Sequence, residues 1–234
     1  REIGNFVLTA EKLNSKDDDG NVLLNDFSIT IHPGEKVAFV GMEHNSITSF
    51  FDIVSETKKP ESGTYSWGQT TSHSYMGRDN SAYFNNELTI TDWLKQYSPD
   101  QDDAYVRGFL GRMLFSGDDG LKKVKVLSGG EKVRCMLSKM MLSGANVLIL
   151  DDPTNHLDLE SIESLNEGLV KFPGVVMFSS HDHEFISTIA NRIIEITPKG
   201  IIDRMMNFDD YLKDDQVKQL RKEYYAGLNK KIRI

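Results

Sequence analysis

A single cysteine, Cys135, occurs in the 234 residues. No intrachain disulfide can form, which suits a reducing compartment. No apolar run approaches the ~18–20 residues of a membrane-spanning helix. The opening residues, REIGNFVLTAEKL, lack the apolar centre of a signal peptide, so the expected location is cytoplasmic. Positive charge is not in excess either: 27 Lys and Arg stand against 35 Asp and Glu, a net charge of −8. Such a chain is a poor candidate for coating nucleic acid by itself, because phosphate binding needs Lys and Arg gathered on one face. No internal repeat of fixed period is present. The missing initiator Met leads to the expectation that the numbering starts inside a longer polypeptide.

What is there belongs to a globular protein. Hydrophobic residues make up 39% and charged residues 26%, far from the profile of a disordered chain. The length suits one large domain or two small ones. Strands are expected at 6–10, 22–31 (alternating apolar and polar), 36–40 and 65–67, with a helix at 46–56. NSKDDDGN (14–21) and HPGE (32–35) read as turns. A different texture begins near residue 88. TITDWLKQY and AYVRGFLGRMLF are amphipathic helices joined by SPDQDD, an inserted helical subdomain of about 88–143. Beyond it, apolar strands at 147–150 and 175–179 alternate with helices at 159–171 and 182–190. Two short strands follow at 193–196 and 200–203. The alternation predicts an α/β fold with parallel core strands. The tail from 207 is charged and helical, without core pattern past Leu220.

The strongest chemical signal is LSGGEK (127–132) followed by VLILDDPTNHLD (147–158). Ser128, Gly129 and Gly130 at a helix start expose backbone N–H groups in the field of the helix dipole, which suits a phosphate. Glu131 three residues after Ser128 makes a capping box. An unrelated helix cap would give the same triplet. Asp151 follows a buried apolar strand, where ligands bind open α/β sheets, and its carboxylate can hold Mg²⁺. Asp152 can polarise water, although two Asp after a strand also make an ordinary cap. His181 ends the next apolar strand and can bond a phosphate or a water. Upstream, VAFVGMEHNSITSFF (37–51) reads as strand, turn and helix, where a phosphate loop G-x-x-x-x-G-K-[ST] would lie. Gly41 and Thr48 fit that pattern; Ser46 and Ile47 do not.

Together these motifs resemble the nucleotide-binding domain of ATP-binding cassette proteins. LSGGEK looks like the signature, LILDD the Walker B strand, NHLD the D-loop and SHDHEF the switch-histidine motif, in matching order along nearly the whole chain. DPTNHLD with ESIESLN points to the ABC-F class, and GFLGRMLFSGDD with IIEITPKGIID to the second domain of its YbiT-type branch. The resemblance implies an ABC-type P-loop fold at 1–206: an antiparallel β subdomain, a mostly parallel core sheet flanked by helices, and the helical insert. A C-terminal helical tail would follow at 207–234. It implies ATP and Mg²⁺ as ligands, with Thr48 and Asp151 on the metal and Asp152 and His181 as catalytic residues. Gly41, Asn45, Ser46, Thr48, Ser49, Arg78 (at the Q-loop position), Ser128, Gly129, Gly130 and Glu131 would bind the nucleotide. No aromatic between Ala10 and Asp26 offers adenine a stacking partner.

The departures are informative. Ile47 replaces the Lys on the β- and γ-phosphates, Ser46 replaces a Gly, and Asp152 stands for the family's Glu. A charge-assisted hydrogen bond to phosphate contributes on the order of 1.5–3 kcal/mol, so losing the Lys weakens ATP binding roughly 10- to 100-fold. In this family two domains pack head to tail, each ATP lying between one domain's loop and the other's signature. The expectation is therefore an ATPase domain whose signature completes an ATP held by a second cassette upstream. The isolated domain would be weak or inactive, and the ribosome is a candidate partner. Two alternatives stay open: a pseudo-ATPase scaffold and the motor subunit of a membrane transporter.

Overall fold

The structure is a computed structural model and describes residues 5–113 and 115–228. Strands β1 (Leu8–Lys16), β2 (Val22–Ile31) and β4 (Ser62–Trp67) form an antiparallel sheet in the order β2-β1-β4. The larger sheet takes β3 (Lys36–Val40), β5 (His73–Met76), β6 (Val147–Leu150), β7 (Val175–Phe178), β8 (Arg192–Thr197) and β9 (Gly200–Arg204). Its order is β5-β6-β7-β3-β8-β9, parallel throughout except for β9. β6 and β7 are wholly apolar, as strands covered on both faces must be.

Alternation along these strands builds two cores. Val37, Phe39, Val147, Ile149, Val175 and Met177 face one side, with helix α1 (His44–Val54) and the small sheet. Ala38, Val40, Leu148, Leu150, Val176 and Phe178 face the other. That second face is covered by α4 (Gly129–Leu142), α5 (Leu159–Lys171), α6 (His183–Ile189) and α7 (Phe208–Lys213). The helical insert consists of α2 (Ile90–Lys95), α3 (Asp103–Arg112), short 3₁₀ turns and α4. Trp93, Val106 and Leu110 tie it to the same core. Among the described residues no helix is long and apolar enough to cross a membrane.

Past Leu220, where no core pattern is expected, the tail still buries Tyr225. α7 and α8 (Asp215–Tyr224) dock on the sheet through Tyr211, Val217 and Tyr225, all at most 3% exposed. Their target is Glu195 of β8, fully buried. It accepts bonds from Tyr211 Oη (2.5 Å), Tyr225 Oη (2.8 Å) and Arg221 Nε (3.2 Å). A buried carboxylate needs such partners. The basic end of the tail, 229–234, lies outside the described residues.

Cys135 lies in the core on α4, and burial pushes its thiol up to about 12. Its alkylation is therefore expected to follow global unfolding rather than exposure, measurable by thiol labelling against denaturant. The thiol is neutral in the fold while the unfolded thiol ionises near 9, so it favours the folded state below that pH. The contribution is lost as pH rises from about 9 to about 12.

Candidate nucleotide-binding site

β3 delivers the chain to Gly41, whose φ of 153° and close packing require glycine: a Cβ there would stand 2.5 Å from the Ile196 carbonyl oxygen. Helix α1 begins at His44, two residues before the expected start at 46, because Glu43 caps it. The Glu43 carboxylate accepts the Asn45 N–H at 3.1 Å, and its carbonyl accepts the Ser46 N–H at 3.2 Å. Ser46 is buried. Ile47 is 2% exposed and packs in the core with Phe50 and Phe51. The position of the usual Lys therefore points a hydrocarbon inward. Ser49, expected at the nucleotide, is instead buried against β1, its hydroxyl 2.7 Å from that of Ser15. The helix turn carries residue 49 away from the face that Thr48 presents.

Thr48 meets Asp151 at the end of β6. Its hydroxyl donates to Asp151 Oδ2 at 2.6 Å. Asp151 Oδ1 is shared by His44 Nε2 (2.7 Å) and the Ser179 hydroxyl (3.1 Å) from the neighbouring parallel strand end. Burial alone would raise the Asp151 pKa, but the bonds from His44, Thr48 and Ser179 overcome it and hold the carboxyl below its usual range. Asp152 follows with φ 50°, a left-handed conformation that costs about 1–3 kcal/mol in a non-glycine residue. Its N–H donates to Ser179 Oγ at 2.9 Å, and its carboxylate lies 3.8 Å from the Arg78 guanidinium. His181 is exposed beyond β7, its ring 5.5 Å from that of His44. The strand ends thus bring together Gly41, Asn45, Ser46, Thr48, Arg78, Asp151, Asp152 and His181. Sequence reasoning missed Glu43, His44 and Ser179. An acidic residue just before a helix start is a cap signal that would have found the first.

Half of this cluster fits Mg·ATP. A hydroxyl and an ionised carboxylate in contact at a strand end are the hard oxygen donors that Mg²⁺ takes. The phosphate half does not fit, since residue 47 brings no cation and the N–H groups of Asn45 and Ser46 already have acceptors. Among the described residues no group of three or more His, Cys, Asp or Glu is arranged to hold a metal.

The signature forms a second, separate locus. Ser128 Oγ accepts the Glu131 N–H and Glu131 Oε1 accepts the Ser128 N–H, each at 3.2 Å, which closes the expected capping box. Lys122 steadies Glu131 from the side at 3.2 Å. The N–H groups of Gly129 and Gly130 lie in the first turn, where a helix supplies no acceptor. A polar cleft of about 290 Å³ opens beside them, lined by Lys122 and Arg134 together with Asp119, Glu131, Asp158 and Glu160, and by no residue of 41–48. Gly130 is held tightly: a Cβ would stand 1.9 Å from Ser161 Oγ and 2.7 Å from Ser161 Cβ. Gly130→Ala is expected to destabilise the fold by about 1–3 kcal/mol, and Ser161→Gly should recover part of the loss, as read by denaturant unfolding.

A family model described as "ABC transporter" matches residues 24–155. The chain is 55% identical over 228 residues to an uncharacterized ABC transporter ATP-binding protein, YkpA, of Bacillus subtilis, covering 97% of this chain and 42% of that protein. It is 42% identical over 196 residues to the probable ATP-binding protein YbiT of Escherichia coli O157:H7 (83% and 37%). It is 31% identical over 213 residues to the energy-dependent translational throttle protein EttA of Escherichia coli K12 (89% and 38%). The chain thus spans about two-fifths of the length of these relatives. Among solved structures, a nucleotide-free cassette from an ABC transporter superposes with a TM-score of 0.75 at 12% identity, covering 95% of this chain and 100% of that one. CbiO1 of Clostridium perfringens gives 0.70 at 18% identity (94% and 95%). At these identities they establish the shared α/β fold. By the matched model and the arrangement of loop, strand ends and signature, this chain belongs to the ABC transporter family of ATP-binding domains.

Proposed function

We propose that this chain is the second cassette, 1–206 with a tail at 207–234, of an ABC-F type protein of the YbiT branch that acts in translation. Its partners would be a second cassette upstream in the same polypeptide and the ribosome. Its signature completes an ATP held by that other cassette, while its own loop contributes little nucleotide affinity. One observation carries the reading: the signature is fully built, with its capping box closed and the glycine N–H groups in the first turn of α4, whereas Ile47 of the loop is sunk in the core. The likeness to EttA, named for a role in translation, supports the cellular setting. So does the span of about two-fifths of each relative, which leaves room for another cassette.

At the shared site Gly129 and Gly130 present N–H groups and a helix dipole to the terminal phosphate, and Ser128 its hydroxyl, with Glu131 holding the cap in shape. At the chain's own loop Thr48 and Asp151 would hold Mg²⁺, which when bound neutralises charge on the phosphates. Asp152, fixed by Ser179 and Arg78, would orient water, and His181 would contact the γ-phosphate side.

The test is ATP turnover of the full-length protein in two variants. Ser128→Arg should abolish most turnover and Asp151→Asn should leave most of it. Turnover like the parent's in both would favour a scaffold, and a dominant loss in Asp151→Asn would place hydrolysis at this chain's own loop.

A further inference from the structure

The loop at 41–48 is not merely short of a Lys. Its two halves are already occupied by the chain's own side chains. The N–H groups at the start of α1 would face a phosphate, yet the Glu43 carboxylate takes that of Asn45 at 3.1 Å and the Glu43 carbonyl takes that of Ser46. An anion therefore sits where an anion would bind. On the other side, His44 Nε2 lies 2.7 Å from Asp151 Oδ1 and Thr48 fills Oδ2. A donor therefore sits on the carboxylate that a cation would use. Asp151 has a fully buried side chain, so no spare face of it reaches solvent.

We propose that Glu43 and His44 close this loop from within, Glu43 standing in for phosphate at the helix start and His44 for the divalent cation on Asp151. The closure explains how the site persists without its Lys. Without the closure the Asn45 N–H at the helix start would lack its acceptor and the buried carboxylate would lose one of three donors, each at a cost in stability. It is also reversible in design. Glu43 is exposed and His44 half-buried, with a side chain 16% exposed, so either can swing away without opening the core. The ligand excluded is a polyphosphate carrying a divalent cation.

The inference rests on the reading that the loop is a nucleotide loop by descent, not on the signature's role. Its test is accordingly one of binding. The 234-residue chain is titrated with Mg·ATP, and separately with Mg·pyrophosphate, by calorimetry. Parent, Glu43→Ala, His44→Ala and the double variant are compared, each checked for an unchanged far-UV spectrum and a cooperative melt. Glu43→Ala should tighten both ligands by about tenfold, the size of one charged contact. The double variant should tighten them by about a hundredfold. His44→Ala should make the affinity depend on Mg²⁺ where the parent's does not. Thr48→Val in the double variant should remove the gain. Unchanged affinity in both single variants overturns the closure. Weaker binding in His44→Ala also overturns it, because His44 would then be the loop's phosphate-binding cation. A gain that survives Thr48→Val overturns it too, since the ligand would lie elsewhere. A failed turnover test at Ser128 would leave all of these results standing.

Discussion

Ser128→Arg in the full-length protein is expected to lower kcat for ATP hydrolysis by about 10²–10³-fold while shifting the melting temperature by only a few degrees. Preorganised N–H donors aimed at developing charge are worth about that much each. The substitution attacks them in two ways. It removes the hydroxyl that accepts the Glu131 N–H and keeps the first turn of α4 in register. It also drives a long cation into the cleft that Lys122 and Arg134 already line. The loss of a helix cap costs about 1 kcal/mol of stability, too little to unfold a domain with two large cores. Steady-state turnover and a thermal melt on the same preparation separate the two effects. Turnover close to the parent's would show that the signature does not meet nucleotide.

The largest effect on stability is expected at Arg192. Arg192 is 6% exposed, and its guanidinium joins three parts of the chain. It donates to Glu35 at 2.7 Å in the turn before β3, to the Thr30 carbonyl at 2.7 Å at the end of β2, and twice to Asp203 of β9, at 2.9 and 2.6 Å. Arg192→Ala leaves the buried Glu35 carboxylate without its cation. Breaking such a pair from one side costs about 3–5 kcal/mol, mostly the penalty of the stranded charge. For a domain of this size that lowers the melting temperature by roughly 10 °C or more. Replacing Arg192, Glu35 and Asp203 together by apolar residues should cost less than Arg192→Ala alone. Urea unfolding of the single and triple variants checks this, and a single variant that melts like the parent would show that the charges were never desolvated.

Much of the core sheet was legible in advance because both of its faces are covered. The strands at 22–31, 36–40 and 147–150 and the helix at 159–171 lie where the apolar pattern puts them. β5 was missed. Its residues His73, Ser74 and Tyr75 are only half-buried at the sheet edge, so no apolar run or clean alternation marks it. The signature box was legible because Ser128 and Glu131 cap locally, three residues apart. The closed loop was not, because comparison with a template draws attention to the residues that fail to match, Ser46 and Ile47. The bonds that shape the site come from Glu43 and His44, at positions the template leaves free. Ser179 and Arg78 meet Asp151 and Asp152 only through strand order, which no local pattern encodes.

Glu195 ties the last two helices to the central sheet. Its strand position pairs with Val40, the last residue of β3 before the phosphate loop. Its partners Tyr211, Arg221 and Tyr225 all lie beyond residue 206. Removing the terminal helices would therefore strand a fully buried carboxylate on β8. That bond network makes the tail a covering for the sheet beside the phosphate loop, so cutting it away would be felt where the nucleotide loop begins.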